Sequence, residues 1–241
     1  MEILLKELNK KIEKSKYKEK LSPENIETLK SKYPFNKFEY IFCHLISEGL
    51  ISIEEYNQLR NEYLNRNKYL HVFEINAPRT FGETWAQSFL KSKVKELEKP
   101  SKELDPSYDG EYDFWYKGIK IEVKASRAVK RESGKSLVEK ALSSDSKSEF
   151  DMNFQQIKPL CCDVFVWIGV WTDEIRYWVL SSDEVKSNEY FSKGQHRGNK
   201  GEGQLWIKET NIDEFDKYMV EEKDLLEKIV EKSKKKDEPS I

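Results

Sequence analysis

The stretch that most constrains this chain is Glu111-Tyr112-Asp113-Phe114-Trp115-Tyr116-Lys117-Gly118-Ile119-Lys120-Ile121-Glu122-Val123-Lys124. Its apolar residues alternate with the others at period two, the period of a half-buried strand. Lys117-Gly118 interrupts it as a two-residue hairpin turn, because Gly tolerates the positive φ such turns require. Counting from that turn pairs Tyr116 with Ile119, Phe114 with Ile121 and Tyr112 with Val123. One face is then wholly apolar. The other places Asp113 opposite Glu122, with Lys124 two residues on along the same face.

The rest of the chain arranges itself around this hairpin. Residues 1–76 read as an all-helical N-terminal domain with the capping box Ser52-Ile53-Glu54-Glu55. Its helices at 38–48 and 53–66 are joined by Gly49-Leu50-Ile51-Ser52, a connection shared by simple helical hairpins and helix-turn-helix units. A helix is expected over 81–98, a second over 149–160 ending at Lys158-Pro159, and strands over 163–171 and 175–180. The order predicts a mixed α/β core over 77–220, its mixed sheet flanked by helices, followed by a charged C-terminal tail over 221–241 that is either solvated helix or disordered.

Composition excludes several classes of function. Charged residues are 36% of the chain and hydrophobic ones 37%, but 12 Tyr, 12 Phe and 6 Trp argue for a packed core. The net charge of −2 gives no global attraction to a polyanion. No apolar run is long enough to span a bilayer, no signal peptide is expected, and the reading is a cytoplasmic protein without a membrane partner. No Gly-x-x-x-x-Gly-Lys-Ser/Thr loop occurs, so no nucleotide cofactor is expected. Cys43, Cys161 and Cys162 lack the spacing of a zinc site, and His44, His71 and His196 do not form a ligand pair.

Carboxylates on directly opposed residues, whose Cβ atoms lie about 5 Å apart, repel unless a cation lies between them. Mg2+ takes oxygen ligands, keeps several waters and is commonly held by one or two carboxylates plus a phosphate. Lys124 beside such an ion would meet the charge that builds on phosphorus and orient a water for attack. The same face also reads as an ordinary solvated strand on which Lys120 and Lys124 pair with the acids, and a bulge in the turn would separate Asp113 from Glu122.

Asp113, eight intervening residues and Glu122-Val123-Lys124 after a hydrophobic strand resemble the PD-(D/E)XK family of restriction-endonuclease-like nucleases. Tyr112 stands where the family's name has proline. Glu83 in Phe81-Gly82-Glu83, Gln156 in Phe154-Gln155-Gln156-Ile157-Lys158 and the apolar run after Asp163 follow in matching order, so the resemblance covers roughly residues 80 to 180. It implies a restriction-endonuclease-like fold and metal ligation by Asp113, Glu122 and the Val123 carbonyl. It also implies water activation assisted by Lys124, with Glu83 and Gln156 near the site. The function implied is that of a type II restriction endonuclease: Mg2+-dependent, sequence-specific cleavage of double-stranded DNA by a homodimer, leaving 5′-phosphates and 3′-hydroxyls.

Two rivals share these residues: a repair or mobile-element nuclease that reads DNA structure, and a non-enzymatic DNA-binding regulator. DNA contacts are expected from the basic stretch Arg127, Lys130 and Arg131. A glycine-rich segment carrying Gln195, His196, Arg197, Asn199 and Lys200 is the other candidate, because its side chains suit base edges and phosphates.

Overall fold

The computed structural model describes residues 6, 9–16, 41–42, 44–132, 134–194 and 202–234. The chain divides into two compact units, Met1–Leu70 and His71–Ile241.

In the first unit the described regular structure is helical. Helix α1, Ile53–Arg66, starts at the capping box read from the sequence: Ser52 Oγ accepts from the Glu55 amide at 3.0 Å, and Glu55 accepts from the Ser52 amide at 2.9 Å. The turn before it closes on Gly49, whose φ of 64° is the left-handed geometry that ends helices. The Gly49 amide donates to the Ile46 carbonyl and that of Leu50 to Leu45, both at 2.9 Å, which satisfies two carbonyls at the end of the preceding helical turn. Ile41, Phe42, Leu45, Ile51 and Tyr63 form the core of this unit.

The second unit is mixed α/β. A π-helical turn, Thr80–Ala86, continues into α2, Gln87–Lys93. Strands β1, Phe114–Tyr116, and β2, Ile119–Arg127, form the hairpin, followed by the short β3, Val129–Lys130, and α3, Leu137–Lys140. Then come β4, Phe150–Ile157; β5, Val164–Val170; β6, Ile175–Ser181; α4, Ser182–Ser187; β7, Phe191–Lys193; β8, Gly203–Lys208; β9, Met219–Val220; and α5, Leu225–Ser233.

The strands form two sheets. One is ordered β1-β2-β5-β6-β9, with β2 and β5 parallel and its other pairs antiparallel; the second, antiparallel, is β3-β4-β8-β7. β5 is buried at every position, as its unbroken apolar run predicts. Phe154 of β4 stacks on Trp167 of β5 at 5.0 Å and meets Trp178 of β6 edge-on, so the two sheets share an aromatic core. α5 packs on β5 and β6, and the π-helical turn packs on β2.

Four expectations are corrected. The helix expected over 81–98 ends at Lys93: Val94 leaves the helical conformation, and Glu98 pairs with Trp115 at the outer edge of β1. The helix expected over 149–160 is β4, because Phe150, Met152 and Phe154 alternate inward against the aromatic core, a tertiary partner that overrides local propensity. The expected charged tail contains α5 up to Ser233, anchored by Leu225 and Ile229, four residues apart and fully buried. Residues 71–76 likewise belong with the second unit by contact: the Arg127 guanidinium donates to the Val72 and Ile75 carbonyls at 3.2 and 2.8 Å.

Candidate active site

The hairpin turn holds the geometry counted from the sequence. Lys117 and Gly118 both have positive φ, 47° and 93°, as a two-residue turn that matches strand twist requires. The paired residues are Phe114 with Ile121, Trp115 with Lys120 and Tyr116 with Ile119. The ladder stops two residue pairs earlier than expected, and Asp113 is not paired with Glu122 in it. The Asp113 amide donates to Ile121, a residue already paired with Phe114, and the pairing of Tyr112 with Val123 does not form. Tyr112 turns instead toward Trp115, and its hydroxyl donates to Asp105 at 2.9 Å.

That departure from the ladder builds the site. With Tyr112 withdrawn, the Val123 amide at the open edge of β2 donates to Asp113 Oδ2 at 2.8 Å. In a strand the N–H and C=O of one residue point to the same side, so the Val123 carbonyl faces this edge as well. Glu122 and Lys124 lie beside Phe165 and Trp167 of parallel β5, and thus on the face toward the aromatic core. Their charged ends meet at 2.6 Å, with side-chain exposures of 11% for Glu122 and 18% for Lys124.

Burial sets the protonation chemistry. It is the main cause pushing Glu122 up to about 7; the positive charge of Lys124 opposes the rise and the neighbouring Asp113 adds to it. Burial also raises Asp113, against the stabilising Val123 amide and Lys124. For Lys124 burial acts downward, but the charge of Glu122 outweighs it and the ammonium is held more firmly than usual. The charge of Asp113 bears on Glu122 and raises its proton affinity. Metal-free, the two carboxyls retain a proton near neutrality that two ordinary carboxylates would have lost.

Among the described residues no group of three or more His, Cys, Asp or Glu side chains is arranged to hold a metal ion. The donor set here is smaller: two carboxylates and a backbone carbonyl. It suits an ion that keeps most of its shell as water and phosphate, and a divalent cation would relieve the repulsion that now traps a proton.

Glu83 lies on the π-helical turn and is exposed, bound to Arg79 at 2.7 Å. Gln87, one helical turn later, is the residue that meets Asp113: its Nε2 donates to Asp113 Oδ1, and its Oε1 accepts from Lys99 at 2.5 Å. Neither Gln87 nor Lys99 carries a signal in the sequence, lying 26 and 14 positions before Asp113. Gln156 sits on β4, not on a helix, at a register shift between Phe154 and Ile157; its φ is 55° and its side chain is exposed. Cys161 and Cys162 are buried free thiols, and burial raises Cys162 well above the ordinary thiol value, so packing accounts for them.

The basic stretch is largely engaged within the protein. Arg127 stacks over Phe81 at 4.0 Å in addition to its two carbonyl contacts, and burial draws its guanidinium down to about 10. Lys130 pairs with Glu132 at 2.9 Å, and Arg131 with Asp151 at 2.8 Å. Gln195, His196, Arg197, Asn199 and Lys200 lie outside the described residues, as does Cys43. Among the described residues no helix is long and apolar enough to cross a membrane.

No protein-family model matches the chain, and no curated protein matches it.

Proposed function

We propose that this chain is a Mg2+-dependent endonuclease that hydrolyses phosphodiester bonds of double-stranded DNA at a specific sequence, in the manner of a type II restriction endonuclease. One observation carries the reading: the half-buried Asp113 and the buried Glu122 lie together at the open edge of a hairpin, with the Lys124 ammonium 2.6 Å from Glu122. Burying two acids together costs stability unless a cation joins them, which is the expected signature of a functional site.

Asp113, Glu122 and the Val123 carbonyl would hold the ion. When bound, Mg2+ supplies Lewis acidity, making water a better nucleophile near neutral pH and offsetting charge on phosphoryl oxygens. Glu122 keeps the Lys124 ammonium aimed by accepting its hydrogen bond. Lys124 orients the attacking water and meets the negative charge that grows on the phosphate. The aromatic core behind Glu122 and Lys124 excludes bulk water and strengthens both effects. A homodimer would supply two such sites, one for each strand.

The test is plasmid cleavage by the wild type, Asp113→Ala and Lys124→Ala, with Mg2+ and with a chelator. Discrete Mg2+-dependent fragments that both substitutions abolish support the proposal. Cleavage at branched or damaged positions regardless of sequence would favour a structure-specific nuclease. Intact plasmids of varied sequence under every condition would leave DNA binding without catalysis.

A further inference from the structure

Gln87 reaches Asp113 from outside the hairpin, and Lys99 reaches Gln87. α2 brings in Gln87. After that helix ends, Glu98 and Trp115 exchange two backbone hydrogen bonds of 2.8 Å, which lays residue 98 against the outer edge of β1. Lys99 follows directly, its ammonium 4.6 Å from the Phe114 ring centroid and 2.5 Å from Gln87 Oε1. The Gln87 amide nitrogen donates to Asp113 Oδ1, while Asp113 Oδ2 accepts from Val123.

The chemistry of the donors orders this chain of contacts. An ammonium only donates, so Lys99 selects the carbonyl end of Gln87 and leaves the NH2 end facing the carboxylate. Without Lys99 the amide could turn over, and in that orientation an acceptor would confront Asp113. Both oxygens of Asp113 are thus held by donors on separate elements, α2 and β2. Glu122 has Lys124 as its fixed donor.

We infer that Gln87 and Lys99 are positioning residues, a relay that fixes the orientation of the Asp113 carboxylate for a divalent cation. The inference rests on the metal-nuclease reading above. Outer hydrogen bonds that orient a metal-binding carboxylate change metal affinity by roughly 10–100-fold.

The test uses Mn2+ as the probe and the full chain without DNA. Affinity is measured by calorimetry for the wild type, Asp113→Ala, Gln87→Met, Gln87→Glu, Lys99→Met and Lys99→Arg, with thermal unfolding of each variant alongside. Gln87→Met should weaken Mn2+ binding about 10–100-fold while its unfolding midpoint stays near wild type. Lys99→Met should weaken it less, and Lys99→Arg, which still donates, should restore it. Lys99 is exposed, so its two variants carry the test even if Gln87→Met folds poorly.

Gln87→Glu keeps the Lys99 contact but turns an acceptor toward Asp113, and should also weaken binding. Tighter binding by Gln87→Glu would overturn the inference, because position 87 would then be a ligand itself. Wild-type affinity in both Gln87→Met and Lys99→Met, with Asp113→Ala deficient, would overturn the relay and leave the metal site standing. Equal binding by wild type and Asp113→Ala would overturn the metal-site reading and the relay with it.

Discussion

Replacing Glu122 by Gln tests the electrostatics of the site without DNA or cleavage. In the folded, metal-free protein Glu122 titrates at about 7, against an ordinary value of 4.5. Below the ordinary value both folded and unfolded chains hold the proton, and wild type and Glu122→Gln should be about equally stable. As pH rises through that window the unfolded chain releases a proton that the folded chain retains, and wild-type stability falls until the pH passes the folded value. At 1.36 kcal/mol for each tenfold change in proton affinity, the full penalty is about 3 kcal/mol.

Gln carries no such proton, so Glu122→Gln should be the more stable protein in a chelator above about pH 7.5. For a chain of this size the gain corresponds to roughly 6–12 °C in unfolding temperature. All six tryptophans lie beyond Leu70, so their fluorescence reports unfolding of the second unit by itself. The assay is a set of thermal melts of both proteins from about pH 4.5 to 8.5, first with chelator and then with Mg2+. With Mg2+ the wild-type carboxylates gain a partner and the advantage of Gln should shrink or reverse. A difference between the two proteins that stays flat with pH in chelator would refute the reasoning.

Lys124→Met should lower plasmid cleavage at least about 100-fold, and should shift the pH window above upward, because Glu122 loses its counter-charge. Arg127→Met should lower stability by about 2 kcal/mol in urea unfolding, since the Val72 and Ile75 carbonyls lose a charged donor. The salt dependence of DNA binding should be unchanged in that variant, as expected for an internal tie and not for a phosphate contact. Gly169→Ala should cost about 1–3 kcal/mol by the same urea assay, because the added Cβ would lie 2.6 Å from the Trp178 ring in the aromatic core.

The hairpin was legible because its information is local. A turn that requires positive φ at two positions and a strict alternation on either side leave a single register, and Phe114 to Ile121 keep it. The α1 capping box and the fully buried β5 were legible for similar reasons: a cap spans one turn, and an unbroken apolar run bounded by polar residues has few places to go. From the sequence β4 reads as a helix although Phe150, Met152 and Phe154 alternate, because the Lys158-Pro159 step fits a helix end equally well. Only Leu205 and Ile207 of β8 and the stacked Trp167 decide for strand.

By itself, then, the sequence determined that Glu122 and Lys124 share one face of β2, since side-chain direction along a strand follows from counting alone, whereas Asp113 lies beyond the end of β1. The tertiary structure decided what those residues have become. Tyr112 leaves the ladder for Asp105, which frees the Val123 amide for Asp113. The aromatic core beneath Glu122 raises its proton affinity, and Gln87 and Lys99 arrive from distant positions to hold the other oxygen of Asp113. Each of these depends on the packing of segments far apart in the chain, where desolvation and hydrogen-bond direction are properties of the assembled surfaces and not of any local run of residues.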